Sequence, residues 1–268
     1  MVGVMNPRRL PALLFSILLV ACTTVKDTGR TSFNLISPDE EKKMGQEAFA
    51  HYKKEKPISN DAEKTAQLQR VADRLMKVIT IENAEWEFIV FEDATPNAFA
   101  LPGGKVGVHT GLFPITANDA GLAAVVGHEI GHVVARHGGE RVSQQATASL
   151  GANALQALVG NLGNLSPTEL GIVQSAFGAT TQVGVLLPFS RKQELEADQL
   201  GALYMARAGY NPNEAVQVWV RFSELTKGKE GPEFMSTHPV NSTRIDKLNK
   251  FMPKAMEEYN RSPYKGQP

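Results

Sequence analysis

The chain holds a single cysteine, Cys22, in 268 residues, so it can form neither an intramolecular disulfide nor a cysteine-rich metal cage. It carries no surplus of either charge, with 28 Lys and Arg against 28 Asp and Glu. Without extra cations to neutralise a phosphate backbone, a nucleic-acid partner is not expected. No apolar run reaches the roughly 18 residues of a membrane-spanning helix. What is present suits a folded chain: 42% hydrophobic and 21% charged residues are too apolar for disorder and too polar for a polytopic membrane protein. The length is enough for one or two domains with a buried core.

The placement of the cysteine says more than its count. Residues 1–22 read MVGVMNPRRLPALLFSILLVAC, with Arg8 and Arg9 as a positive start and Ala12 to Ala21 as an apolar stretch of ten residues. That stretch is too short to span a bilayer and fits the apolar region of a secretory signal. It ends in Leu19-Val20-Ala21-Cys22, which resembles the lipobox of bacterial lipoproteins, where cleavage precedes the cysteine and the thiol is acylated. Acyl chains contribute about 0.8 kcal/mol per buried CH₂, so a multiply acylated Cys22 would hold the protein at a membrane without a helix. The expected organisation is a signal peptide over 1–21, a tether over 22–34, a main domain over 35–262 and a tail over 263–268. Thr23 follows the cysteine where Asp would retain a lipoprotein, so resemblance to enteric-type sorting implies the outer membrane, facing the periplasm. Removal of Arg8 and Arg9 with the signal leaves the remainder slightly acidic, and the argument against nucleic acid stands.

Ser37-Pro38-Asp39-Glu40 combines a Ser N-cap, Pro at the first helical position and Glu three after the cap, and predicts a helix to about residue 54. Leu68, Val71, Ala72, Leu75 and Val78 recur at helical spacing within 61–80. Residues 85–93 read as a strand, and 97–101 and 105–109 flank a Pro102-Gly103-Gly104 turn. An apolar-periodic helix is expected over 118–137, ending at Gly138-Gly139, with further helices over about 141–158, 168–185, 190–208, 212–227 and 241–260. The fold class is therefore α+β, mostly helical, with a small sheet.

The chemistry sits in His128-Glu129-Ile130-Gly131-His132. At about 100° per residue, His128 and His132 fall one turn apart on one helix face, where both imidazoles reach one ion. Glu129 lies beside the open position of that ion and can take a proton from bound water. Zn²⁺ lowers the pKa of such water to roughly 7, so one zinc per chain is expected. A catalytic zinc needs a third protein ligand and an open place. The candidates lie in Glu194-Leu195-Glu196-Ala197-Asp198, where Glu194 and Asp198 share a face and Glu196 is rotated by about 200°. Spacing alone leaves both Glu194 and Glu196 open as the ligand.

These motifs, with Asn97-Ala98-Phe99-Ala100-Leu101-Pro102-Gly103-Gly104 before them and His238-Pro239 and Arg244 after them, resemble the HtpX/CAAX-prenyl-endopeptidase family of zinc metallopeptidases, in its bacterial lipoprotein branch. The resemblance covers nearly the whole chain beyond residue 34. It implies a zincin fold of the gluzincin type, with a small edge-strand sheet beside the HExxH helix. By the family's ExxxD pattern, Glu194 is the third metal ligand, Asp198 orients His128, and Glu196 is a helix-surface residue. His238 is expected either to stabilise the oxyanion or to bind zinc as a fourth ligand that holds the site off; the plain alternative is a turn before the last helix. Arg244 would support the same oxyanion or a substrate carbonyl.

Residues 97–104 have two readings: a hairpin simply turned by Pro102-Gly103-Gly104, or, by resemblance to other zincins, an edge strand whose Asn97, Ala98, Phe99 and Ala100 receive an extended substrate through main-chain hydrogen bonds. His137, His51 and His109 are not assigned to metal, and His137 is expected to cap the C-terminus of its helix. The resemblance implies an endopeptidase acting on unfolded or misfolded envelope proteins, held to the membrane by its acyl anchor. The alternative is a lipoprotein chaperone or scaffold with a structural zinc.

Overall fold

In a computed structural model of the chain, residues 22–149, 160–176, 189–225, 233–239 and 242–267 are described below. The signal peptide expected over 1–21 lies outside them, as does much of the helical region expected over 141–185.

The segment read as a tether pairs with itself: β1 (Cys22–Thr24) and β2 (Thr31–Phe33) form an antiparallel hairpin that aligns Cys22 with Phe33. α1 (Pro38–Glu55) starts as its sequence predicts, with Ser37 Oγ accepting from Glu40 N–H and Glu40 accepting from Ser37 N–H at 2.7 Å. α2 (Ala62–Leu75) is shorter than its apolar spacing suggested, and buries Leu68, Val71, Ala72 and Leu75. The sheet consists of β3 (Glu87–Phe91), β4 (Ala98–Leu101) and β5 (Lys105–His109) in the order β3-β5-β4. β5 runs parallel to β3 and pairs antiparallel with β4 through the Pro102-Gly103-Gly104 turn, whose two glycines take positive φ of 87° and 85°. β4 therefore lies at the sheet edge, as the sequence implied.

After a short helix α3 (Phe113–Thr116) comes α4 (Asp119–Val134), capped by Asn118 Oδ1 on Gly121 N–H at 2.8 Å. Every residue from Gly121 to His132 is buried. This explains a helix apolar nearly all round rather than along one stripe. The helix stops short of Gly138-Gly139. Arg136 takes φ +55°, sends its guanidinium to Glu41 Oε2 at 3.0 Å and to the Ile36 carbonyl at 2.5 Å, and a new helix α5 (His137–Ser149) begins.

The remaining elements are α6 (Pro167–Ala176), α7 (Arg191–Arg207), α8 (Asn213–Leu225), α9 (Glu233–Thr237) and α10 (Ser242–Arg261). α7 opens with a second reciprocal cap between Ser190 and Gln193 and packs extensively along α4. Their axes approach closely because Gly201 faces the His128 backbone and Gly131 faces Ala197. The main apolar core surrounds α4, with α2, the sheet, α7, α8 and α10 contributing. A second cluster joins α1 to the sheet through Phe49, Tyr52, Phe91 and Phe99, with ring centroids 4.6–6.3 Å apart.

Candidate metal centre

α4 supplies His128 and His132, α7 supplies Glu194, and the turn after α9 supplies His238; all four are buried. One donor atom from each lies within 4.8 Å of the others. The Nε2 atoms of His128 and His132 are 3.1 Å apart, His128 Nε2 is 3.2 Å from His238 Nδ1, and Glu194 Oε1 is 3.0 Å from His238 Nδ1 and 3.4 Å from His132 Nε2.

Burial pulls the imidazole of His128 down to about pKa 4 and that of His132 well below its usual value, so both stay neutral near pH 7. Burial would raise Glu194, but the charges of Arg244 and His238 outweigh it and keep the carboxylate ionised. Two neutral imidazoles from α4 and an ionised carboxylate from α7, with His238 brought against them, form a donor set that Zn²⁺ prefers, and the residues fit that ion.

Behind His128, Asp198 Oδ1 approaches Nδ1 at 3.1 Å. Arg244 holds the same carboxylate in a two-pronged grip, Nε to Oδ2 at 2.6 Å and Nη2 to Oδ1 at 2.8 Å, and pairs with Glu194 Oε2 through Nη1. Its guanidinium lies over the Trp219 ring, 4.4 Å from the centroid.

Glu129 is buried beside this group. Among the described residues its Oε1 has no hydrogen-bond partner, and His238 Nε2 is 3.5 Å away. Burial raises its pKa to about 7, a value suited to exchanging protons near neutrality. Burial lowers His238, but the carboxylates of Glu129 and Glu194 outweigh it and raise the imidazole above its usual value.

The residues singled out from sequence thus come together: His128, Glu129, His132, Glu194, Asp198, His238 and Arg244 occupy one buried cluster. The edge strand lies close by. Ala100 and Pro102 share a cavity of only about 10 Å³ with His132, Val133, Arg136 and Phe189, and Asn97, Ala98, Phe99 and Ala100 are all buried. Phe189 fills the region. Its ring centroid is 3.9 Å from that of His132 and 5.1 Å from that of His238, Arg141 lies over it, and its N–H donates to Thr237 O. Nothing in the spacing around Phe189 flagged it.

Two expectations need correction. Glu196 is not on the surface; it is 5% exposed and receives hydrogen bonds from Thr28, Arg30 and His137. α7 is buried on the face opposite Glu194 as well, because the hairpin covers it. His137 caps no helix end. It is fully buried at the start of α5, with Nδ1 2.9 Å from His132 Nδ1. His51 pairs with Glu55 on a half-exposed surface, and His109 bonds Tyr52 Oη at 2.5 Å and Thr95 O at 2.9 Å, so neither joins the cluster.

A sequence model of Peptidase family M48 matches residues 62–252. The chain is 36% identical over 233 residues to the mitochondrial metalloendopeptidase OMA1 of Schizosaccharomyces pombe, covering 85% of this chain and 66% of that protein. It is 37% identical over 189 residues to the protein of the same name in Saccharomyces cerevisiae, covering 68% of this chain and 51% of that one. To the beta-barrel assembly-enhancing protease of Escherichia coli K12 it is 28% identical over 230 residues, 83% and 46% of the two chains. It thus spans between about half and two thirds of these relatives, which are both mitochondrial and bacterial.

Proposed function

Because the chain belongs to peptidase family M48, we propose that it is a zinc-dependent endopeptidase that hydrolyses peptide bonds in unfolded or misfolded proteins of a bacterial envelope. The observation that carries this is Glu129, an acid whose Oε1 has no hydrogen-bond partner among the described residues and whose pKa lies near neutrality, beside four converging donors. His128, His132 and Glu194 would hold the ion. Bound zinc supplies Lewis acidity, making a water nucleophilic near pH 7 and polarising a carbonyl. Glu129 Oε1 accepts the proton of that water and returns it to the leaving amine. Asp198 keeps the His128 ring oriented, and Arg244 keeps both Asp198 and Glu194 ionised in a setting that would otherwise favour their neutral forms. His238 stands within the donor set, where it would either add a further ligand that holds the site off or donate to the oxyanion of the reacting carbonyl. An extended substrate would lie along β4 once Phe189 moves aside.

The envelope setting rests on the N-terminal sequence. Leu19-Val20-Ala21-Cys22 supports acylation at Cys22, which would tether the domain expected over 35–262 on the periplasmic face of the outer membrane. Among the described residues no helix is long and apolar enough to cross a membrane. Incorporation of labelled palmitate that is lost in Cys22→Ser would support the anchor, and equal labelling of both would remove it.

One observation favours a lipoprotein scaffold instead: four protein donors make the closed set of a structural zinc. Such a site has no use for Glu129. Casein cleavage by residues 23–268 with zinc, beside Glu129→Gln, separates the readings. Endopeptidase action requires the variant to lose about 10²–10⁴-fold. Equal activity in both would overturn the role of Glu129, and no activity in either would favour the scaffold.

A further inference from the structure

Outside the metal cluster, a buried polar chain runs from His132 to the N-terminal hairpin. His132 Nδ1 and His137 Nδ1 are 2.9 Å apart, and His137 Nε2 is 2.9 Å from Glu196 Oε2. Thr28 Oγ1 donates to Glu196 Oε1, and Arg30 Nε donates to Glu196 Oε2. Arg30 also donates through Nη1 to Glu140 Oε1 at 2.7 Å and through Nη2 to the Ala135 carbonyl at 3.3 Å. Gln193 Nε2 donates to Glu140 Oε2 at 3.0 Å.

The proton positions follow from geometry. His132 Nε2 faces the other donors, so when that nitrogen binds an ion the ring's single proton sits on Nδ1. His137 Nδ1 must then accept, which puts the His137 proton on Nε2. There it meets the ionised carboxylate of Glu196, an acceptor that cannot reverse the chain. His128 has a carboxylate directly behind it in Asp198; His132 has one behind it through a second imidazole.

We infer that His137 and Glu196 are positioning residues for the metal ligand His132, and that Thr28 and Arg30 of the hairpin hold Glu196 in place for that task. The segment beside the expected membrane anchor is thereby part of what sets metal affinity. Hydrogen-bond partners of metal-bound histidines fix the ring and raise its basicity, and their loss typically costs about 10–100-fold in affinity.

The inference rests on the metal-site reading, so its test measures zinc binding by competition with a chromophoric chelator, together with the visible spectrum of the Co²⁺-loaded protein. Glu196→Gln should weaken zinc binding about tenfold and shift the Co²⁺ bands. Arg30→Gln, at a side chain 26% exposed that keeps polar reach toward its partners, should weaken it severalfold. His137→Asn, whose amide oxygen can stand in for Nδ1, should retain more affinity than His137→Leu. If Glu196→Gln does not fold, the Arg30→Gln comparison decides. Wild-type affinity in folded variants, with only the melting temperature lowered, would make the chain merely structural and overturn the inference while the metal site stands. Failure of the wild-type protein to bind zinc would overturn the metal-site reading and the inference with it.

Discussion

Gly201→Ala sets two effects of similar size against each other. The residue lies inside α7, where Ala is favoured over Gly by about 0.8–1 kcal/mol on helix propensity alone. Against this, an added Cβ would lie 2.8 Å from the backbone nitrogen of His128, 3.0 Å from its Cα and 3.1 Å from the carbonyl carbon of Gly127. Comfortable carbon contacts begin near 3.5 Å, so α7 and α4 must part by about 0.5–1 Å, since backbone cannot swing away as a side chain does. Overpacking of this kind costs about 1–3 kcal/mol. The clash should win, leaving the protein less stable by about 0.5–2 kcal/mol, or roughly 2–4 °C in melting temperature per kcal/mol at this size.

The larger consequence concerns the metal. The same displacement carries Glu194 and Asp198 away from His128 and His132, and zinc distances tolerate only about ±0.2 Å. Thermal unfolding in EDTA reports the packing cost. The further rise in melting temperature on adding zinc reports affinity, since ligand stabilises the fold by RT ln(1 + [L]/Kd). The zinc-induced rise should be smaller in the variant than in wild type. A variant that melts higher than wild type in EDTA and gains as much from zinc would refute the reasoning, because propensity would then outweigh contact and the close approach would not set the site.

Two further outcomes follow from the cluster. Glu129 has a folded pKa of about 7 against 4.5 for an unperturbed carboxyl, so the metal-free fold binds a proton that the unfolded chain releases. Stability contributed by this residue is therefore greatest at acid pH and lost as pH rises from about 4.5 to about 7, on the order of 1–3 kcal/mol. Glu129→Gln should melt like wild type near pH 4.5 and above it at pH 8, both in EDTA; identical melting across that range would contradict the shift. Arg244→Met strands two buried carboxylates and should cost about 3–5 kcal/mol. Added zinc should recover only the part owed to Glu194, and a melting temperature within 2 °C of wild type would count against the pairing.

The parts of this molecule that were legible in sequence are those whose cause is local. Ser37 and Glu40 cap α1 within four residues, Gly103 and Gly104 take the positive φ of a turn, and His128 and His132 share a face because a helix turns every 3.6 residues. The end of α4 was not legible, because its cause is distant. Gly138-Gly139 is the local stop signal, yet the chain turns earlier, where Arg136 reaches back to Glu41 and to the Ile36 carbonyl.

Glu196 shows where helical-wheel reasoning runs out. Its rotation of about 200° from Glu194 is correct, and the inference that it faces water is not. A wheel gives the direction of a side chain but not what lies there, and a helix buried on two faces makes direction and exposure independent. What lies there is a hairpin some 165 residues earlier in sequence, whose Arg30 and Thr28 engage the carboxylate. A buried carboxylate with a cation from one element and an imidazole from another is an arrangement that desolvation penalises unless every partner is present. Its presence behind His132 is therefore better explained by the demands of the histidine than by any contribution of its own to stability.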